Sequence, residues 1–390
     1  MKYINIGKEV LKTLKENGYE AYFVGGFVRD RLLGLYSDDI DITTNALPDE
    51  VETCFKNVKQ TGKKYGTVTV LIDSFKYEVT TYRFDGEYAD GRRPDKVEFS
   101  TKLEDDLERR DFTINALVMD ENEVVRDLHN GKFDIENKII RTINNPAKRF
   151  KEDALRMMRA IRFVSKLGFD IEAKTLKAIE ELKGLIHNVS IERIMVELDK
   201  TFKGEHRQKA MKFLVKSNLH KELHGLEKGI EYLQDIEGEV HSIEAFAISF
   251  ILGEYSDVWR FSNNNRRLIE KVIHLHEVTK EGIWNKFIVF SNGAEVCLLA
   301  NRINVLLGFE DQSELINNIS KGLIVKDVCD LAFKGQDILA LTTLKKRSVI
   351  ALVIDDLLYN VIMEIMPNDY DVLKEFALKR VEELQKELER

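Results

Sequence analysis

Cysteine and proline are scarce in this 390-residue chain, with three of the first and four of the second. Cys54, Cys297 and Cys329 are isolated and odd in number, which argues against a disulfide framework and against a zinc site built on paired cysteines. No low-complexity linker and no internal repeat interrupts the sequence. No apolar run reaches the length of about 18 residues that a membrane span needs, and no charged-then-apolar leader opens the chain. Neither a membrane span nor a signal peptide is expected, and the cytoplasm is the expected compartment. Positive charge is not in surplus either, since the formal net charge is −8. A polyanionic partner would have to be held by local patches, such as Lys56, Lys59, Lys63 and Lys64 or Arg156, Arg159 and Arg162. The last 40 residues carry 10 acidic against 5 basic side chains, which sets the acidic excess apart from those patches.

What is present divides the chain in two. Its length exceeds what one hydrophobic core normally serves, so two or more domains are expected. Before Pro146, "EAYFVGG", "DIDITT", "GTVTVLI", "KYEVTTYRF" and "NALVMD" read as strands, and "VRDRLLG" and "PDEVETCFKN" as helices. After Pro146, amphipathic stretches follow one another to the heptad-like "DVLKEFALKRVEELQKELER". The predicted class is α+β: an N-terminal mixed-sheet head over residues 1–145, then helices divided as a neck (146–204), a body (205–283) and a tail (284–390).

Within the head, "LYSDDIDITT" crowds Asp38, Asp39 and Asp41 into what otherwise reads as a half-buried strand. Strand alternation would project Asp39 and Asp41 together and bury Ile40 and Ile42 on the other face. Two adjacent carboxylates repel unless a cation sits between them, and Mg2+ is a natural occupant because it takes oxygen ligands and substrate phosphates. A solvated acidic edge is the plain alternative for a bare pair. Just upstream, Gly25 and Gly26 follow an apolar strand and precede a helical run that carries Arg29. Glycines there permit a tight turn and a close approach of backbone N–H groups to a phosphate. The turn is not G-x-G-x-x-G, so a dinucleotide-binding fold is not expected.

Five blocks, in order, resemble the class II tRNA nucleotidyltransferases (CCA-adding enzymes) and their bacterial poly(A) polymerase relatives, within the DNA polymerase β-like nucleotidyltransferase superfamily. They are "GGFVRDRLLGLYSDDIDITTNALP", "LERRDFTINAL", "DLHNGKFDIENKIIRT", "RFKEDALRMMRAIRF" and "IERIMVEL". The resemblance implies template-independent addition of CCA to the 3′ end of tRNA from CTP and ATP. It makes Asp39 and Asp41 the metal ligands, with Asp38 outside the active face. Glu78 is a candidate third carboxylate from a neighbouring strand; the competing reading is a cross-strand partner for a surface lysine. Gly25, Gly26 and Arg29 would receive phosphate, and Arg110 and Asp111 the triphosphate and ribose of the incoming nucleotide.

"EDALRMMRAIRF" reads as one helix whose polar stripe carries Asp153, Arg156, Arg159 and Arg162. Left unplaced, such a stripe is a solvated basic face with a Glu152–Arg156 pair. The resemblance instead assigns base reading to Asp153 and Arg156 and a place in the nucleotide pocket to Arg159 and Arg162. Cytosine and adenine both offer an exocyclic amine beside an unprotonated ring nitrogen, which an aspartate and an arginine can pair. Uracil and guanine reverse both contacts. Glu192, Arg193 and Glu197 are expected to be structural. The helical remainder is expected to hold the acceptor and TΨC arms of tRNA, and no protein partner is indicated. The glycine- and charge-rich segment from Phe84 to Phe99 matches a loop that full CCA-adding enzymes keep. No His-Asp dipeptide marks the phosphohydrolase domain of some relatives. An enzyme adding only the terminal A, or a poly(A) polymerase, stays open as an alternative, and an inactive RNA-binding relative is disfavoured by the full set of acids and arginines.

Overall fold

The structure, a computed structural model, describes residues 2–85, 97–341 and 347–388. It divides into two compact units, one ending at Arg260 and the other beginning at Phe261. The first unit opens on α1 (Lys2–Glu16) and continues through β1 (Ala21–Val24), α2 (Gly26–Leu32), β2 (Asp41–Thr44), α3 (Pro48–Cys54), β3 (Val58–Gly62), β4 (Thr67–Ile72) and β5 (Phe75–Thr81). A short pair, β6 (Arg83–Asp85) and β7 (Val97–Phe99), follows, then α4 (Leu103–Glu108), β8 (Leu117–Met119), β9 (Val125–Asp127), α5 (Gly131–Glu136) and β10 (Ile139–Ile140). Most of the Phe84–Phe99 loop, residues 86–96, lies outside the described residues.

Seven strands form one sheet in the order β3-β4-β5-β2-β1-β8-β9. Only β2 and β5 run parallel within it, so the sheet is mixed as expected. The alternation read from the sequence sets its faces. Ile40 and Ile42 are buried. On β5, Tyr77, Val79 and Thr81 are buried while Glu78 between them is exposed. The helix α1 was not read from the sequence; its inward Ile6, Val10, Leu11 and Leu14 follow helical spacing.

Helices then take over: α6 (Pro146–Glu152), α7 (Leu155–Leu167), the two-residue strand β11 (Asp170–Ile171), α8 (Ala173–Leu182), α9 (Ile191–Phe202), α10 (Arg207–Lys216), α11 (Glu227–Leu233) and α12 (Ser242–Leu252). The apolar side of α7, including Met157, Ala160, Ile161 and Val164, is buried, and α7 packs on α9. The second unit is helical: α13 (Asn263–Thr279), α14 (Lys286–Asn292), α15 (Ala294–Leu306), α16 (Ser313–Lys321), α17 (Gly335–Leu341), α18 (Arg347–Ile362) and α19 (Tyr370–Leu388). Leu373, Ala377, Val381 and Leu384 of α19, spaced by three and four residues, enter a core with Val353, Leu357 and Val361 of α18. The heptad reading of the last helix holds.

Two local expectations fail. Asp39 is not a strand residue, because β2 begins at Asp41, where register partners first become available on both sides, Val24 on β1 and Glu78 on β5. Asp153 is not on the helix of Arg156. It caps the C-terminus of α6 in extended geometry, with φ −147° and ψ 103°. Its Oδ1 accepts from the Leu155 amide at 3.1 Å, a side-chain-to-backbone bond that competes with helix continuation.

Candidate active site

The site is built where β1 ends and β2 begins. Gly25 takes φ 75° and ψ −134° between β1 and α2, and its amide donates to the Leu117 carbonyl. A Cβ at this position would lie 3.1 Å from Arg110 Nη1 and 3.8 Å from Asp41 Oδ2. The absent side chain therefore brings backbone, arginine and carboxylate together.

Asp41, half-buried, sits on β2 directly across from Glu78 of β5. Its pKa is pushed up to about 6, first by burial, against the pull of Arg110, with Asp39 and Glu78 adding to the rise. Asp39 is exposed and faces the same cleft. The cleft, of about 350 Å³, gathers Gly25, Gly26, Arg29, Asp39, Asp41, Arg110, Asp111, Arg159 and Arg162. Of the residues expected in the site, Glu78, Asp153 and Arg156 do not line it, and neither does Asp38.

The cations are held from behind. Arg29 is only 2% exposed; it donates to Asp30 Oδ1 and to Asn115 Oδ1 and lies 5.0 Å from the centre of the Phe163 ring. Its guanidinium is thus committed within the protein, and what α2 presents to the cleft is mainly the glycine turn. Arg110 pairs with Asp106 Oδ2 at 3.1 Å, while its Nε is buried with no hydrogen-bond partner among the described residues. Asp106, fully buried, also pairs with Arg109 and accepts from Thr43 Oγ1. Burial alone would raise its pKa, but Arg109 and Arg110 hold it below the usual carboxylate range.

Asp111 accepts from the Phe112 amide and Asn115 Nδ2 through Oδ1, and from Arg159 Nε through Oδ2, which also lies 2.5 Å from Arg159 Nη2. Burial opposes its charge, but Arg159 and Asn115 hold its carboxyl far below the ordinary range. With four donors around two oxygens its lone pairs are taken up, so a ribose hydroxyl could bond here only by exchange for one of them. Arg162 stacks 4.4 Å from Phe163, and Arg159 lies 5.5 Å from the same ring. Burial and then Arg159 lower the Arg162 pKa, opposed by Glu197.

Asp153 and Arg156 meet neighbours outside the cleft. Asp153 Oδ2 accepts from Arg193 Nη2 at 2.8 Å. Arg156 is 7% exposed; its Nη1 donates to the Arg149 carbonyl and to Glu152 Oε2, and its Nη2 to the Arg109 carbonyl. The Glu152–Arg156 pair that the sequence offered as the plain reading is therefore present. Each Asp153 oxygen has one such donor, which leaves acceptor capacity on both.

Sequence reading missed Asp106, Asn115, Phe163 and Lys166, all part of the site or directly behind it. Signals existed for some of them. Asp106 stands four residues before Arg110, and Asn115 four after Asp111. Lys166 extends the Arg159 and Arg162 stripe by one turn and pairs with Asp30 at 2.8 Å.

Three family models match in succession: the poly A polymerase head domain over residues 21–141, the probable RNA and SrmB-binding site of polymerase A over 168–228, and tRNA nucleotidyltransferase domain 2 over 254–377. The chain is 43% identical over 352 residues to the CCA-adding enzyme of Bacillus pumilus, covering 85% of this chain and 86% of that one. It is 36% identical over 388 residues to the CCA-adding enzyme of Ligilactobacillus salivarius, with 96% of each covered. Among solved structures, the Bacillus stearothermophilus CCA-adding enzyme in complex with CTP superposes with a TM-score of 0.85 at 30% identity, over 99% of this chain and all of that one.

Proposed function

The chain belongs to the CCA-adding enzymes and adds CCA to the 3′ end of tRNA from CTP and ATP; we propose that it does so in the cleft between β2 and α7, with Mg2+ as the metal. The observation that carries the assignment is the convergence on one cleft of Asp39 and Asp41 with Arg110 and, from α7 more than 100 residues further on, Arg159 and Arg162.

Asp39 and Asp41 would hold the metal, with Glu78, the register partner of Asp41 on β5, as the candidate third carboxylate. The donors suit a hard dication: all are carboxylates, and Asp39 and Glu78 both stand close enough to Asp41 to add to the rise in its pKa that burial causes and Arg110 opposes. When bound, such an ion lowers the pKa of the attacking 3′-hydroxyl and offsets charge on the leaving pyrophosphate. The chain's own groups do the rest. Arg110, Arg162 and Lys166 face the cleft with cationic ends for the triphosphate, and the Gly25 turn lets it approach the backbone. Asp111, Asn115 and Arg159 act as one preformed unit against the ribose.

Asp153 offers its remaining lone pairs to the exocyclic amine shared by cytosine and adenine, and Arg156 donates to the adjacent ring nitrogen. The polar partners of Arg156 account for both Nη1 hydrogens and one on Nη2, so base reading uses its remaining donors or exchanges Glu152. The helices beyond the head, divided as neck (146–204), body (205–283) and tail (284–390), hold the acceptor and TΨC arms through phosphate contacts.

The test is to supply purified protein with Mg2+, CTP and ATP, together with tRNA ending either before CCA or after CC, and to sequence the products. Extension of both to CCA is expected. Extension of only the CC-ended substrate would establish A-only addition, and a long A tract would establish a poly(A) polymerase.

A further inference from the structure

We propose a Zn2+ site outside the cleft, formed by His220, Glu227 and Glu231. None of the three lines the cleft, so the site is separate from the metal ligands assigned to nucleotide addition.

His220 lies in a short 3-10 turn (Leu219–Glu222) between α10 and α11, and Glu227 and Glu231 stand on α11. A spacing of four residues puts both carboxylates on one face of that helix, where like charges repel unless a cation lies between them. One donor atom from each of the three residues lies within 4.8 Å of the others. In a tetrahedral shell with bonds of about 2.0–2.1 Å, donors stand roughly 3.4 Å apart. Closing the site therefore takes a movement of roughly 1.5 Å, within reach of side-chain rotation at the two exposed glutamates.

The imidazole distinguishes this group from an acidic surface patch. His220 is 1% exposed, and its two ring nitrogens have different surroundings. Nδ1 lies 3.1 Å from the Leu214 carbonyl oxygen of α10, outside the cluster, and Nε2 lies 3.2 Å from Glu231 Oε1. A carbonyl only accepts, so Nδ1 carries the proton and fixes the tautomer. Nε2 then turns its lone pair on a carboxylate oxygen, and two acceptors so close repel unless a proton or a metal ion lies between them. A second ring proton would satisfy that pair alone. It would leave the Glu227 side chain, which has no hydrogen bond or ion pair among the described residues, as it stands. A metal ion satisfies all three. An Nδ1–H donated to a backbone carbonyl is also the outer-shell bond that orients a metal-binding imidazole.

One ring nitrogen with two carboxylates suits Zn2+, whereas Mg2+ favours oxygen ligands throughout. Three protein ligands leave a fourth position for water. Glu227 also lines a cavity of about 460 Å³ with Lys221, His224, Lys228 and Tyr255, which gives the ion a route from solvent. Bound there, Zn2+ ties the turn after α10 to α11 and stabilises this part of the helical region.

The experiment titrates Zn2+ into the full, untagged chain carrying Asp39→Asn and Asp41→Asn, which removes the charge of those cleft carboxylates. Millimolar Mg2+ is present throughout, and calorimetry and thermal melting are the readouts. One Zn2+ per chain is expected, with a rise in melting temperature that Mg2+ alone does not give. Adding Glu227→Gln or Glu231→Gln, surface changes that leave folding nearly intact, should abolish that rise. Either should also weaken binding by at least the roughly 10–100-fold that loss of an outer-shell partner costs. Lys228→Gln, beside Glu227 but outside the ligand set, should leave both readouts in place. The inference is overturned if no stoichiometric Zn2+ binds. It is overturned equally if affinity and the rise in melting temperature survive both glutamate substitutions. In either case His220 and Glu231 form a buried ion pair and nothing more.

Discussion

Asp41 and Glu78 are register partners on parallel strands, so their side chains leave the sheet on the same face, with backbones roughly 4.8 Å apart. Across β5, Glu78 is also opposite Thr69 of β4, not opposite a lysine. The cross-strand lysine pair that competed with a metal role in the sequence is thus replaced by a threonine and a carboxylate.

Four acids of this region then differ in role. Asp39→Ala or Asp41→Ala should abolish nucleotide incorporation, and Glu78→Ala should lower kcat/KM by about 100-fold or more. Asp38→Ala should keep most activity. All four should retain their melting temperature and tRNA affinity, read by thermal melts and filter binding. Equal loss in Asp38→Ala and Asp41→Ala would show that the wrong acids have been chosen, and near-normal activity in Glu78→Ala would remove it from the metal set.

The sheet was legible because its strands obey a local rule. Tyr77, Val79 and Thr81 are buried between less buried neighbours, exposed Glu78 and half-buried Thr80, and Ile40 and Ile42 are buried as their spacing required. Most of the cleft was legible too, through residue types that chemistry demands together. What was not legible depends on partners remote in sequence. The break at Asp153 is supported by Arg193, 40 positions later, and the burial of Arg29 depends on Asn115, 86 positions away, and on Phe163. A helical wheel drawn through Asp153 sees none of this. Asp39 fell outside its strand because strand limits are set by the neighbours that pair with it, not by alternation alone.

Base selection should follow Asp153 and Arg156 despite their internal partners. Asp153→Ala removes the acceptor for the exocyclic amine, and at roughly 1–3 kcal/mol per base contact the preference for CTP and ATP over UTP and GTP should fall tens-fold. Arg156→Ala should act in the same direction, while Arg162→Ala should slow all nucleotides alike. Uniform slowing by both Asp153→Ala and Arg156→Ala, measured by single-nucleotide incorporation, would make this region a structural element only.

Asp111 predicts a pH dependence of stability. Its folded pKa lies well below its ordinary value of 3.8, because Arg159 and Asn115 outweigh burial. A depressed carboxyl binds fewer protons folded than unfolded, so its contribution is complete above the unfolded pKa and is lost as pH falls below it. Asp111→Asn should therefore be less stable at pH 7, with the difference from wild type narrowing below about pH 4. Urea midpoints at pH 7, 4 and 3 check the sign; a constant difference across that range contradicts it.

Gly25 predicts a loss of activity that strain alone cannot produce. At φ 75° and ψ −134° its backbone occupies a region that L side chains rarely adopt, and strain of this kind costs on the order of 1–3 kcal/mol. Gly18 is a fitting control: it has φ 91°, but a Cβ there would meet nothing within 4 Å. Both Gly18→Ala and Gly25→Ala should lower the melting temperature. Only at Gly25 does the new methyl come within 3.1 Å of Arg110 Nη1 and 3.8 Å of Asp41 Oδ2. Arg110 is the movable partner, yet Asp106 restrains it from behind, so its terminal nitrogen must leave its place beside Asp41. Gly25→Ala should then cost at least about tenfold in kcat/KM for both CTP and ATP, well below its melting temperature, with the choice between nucleotides preserved. Gly18→Ala should keep near-normal kinetics at that temperature. Equal kinetic losses in the two variants would mean that glycine serves only the turn and that close approach to Arg110 and Asp41 contributes nothing to catalysis.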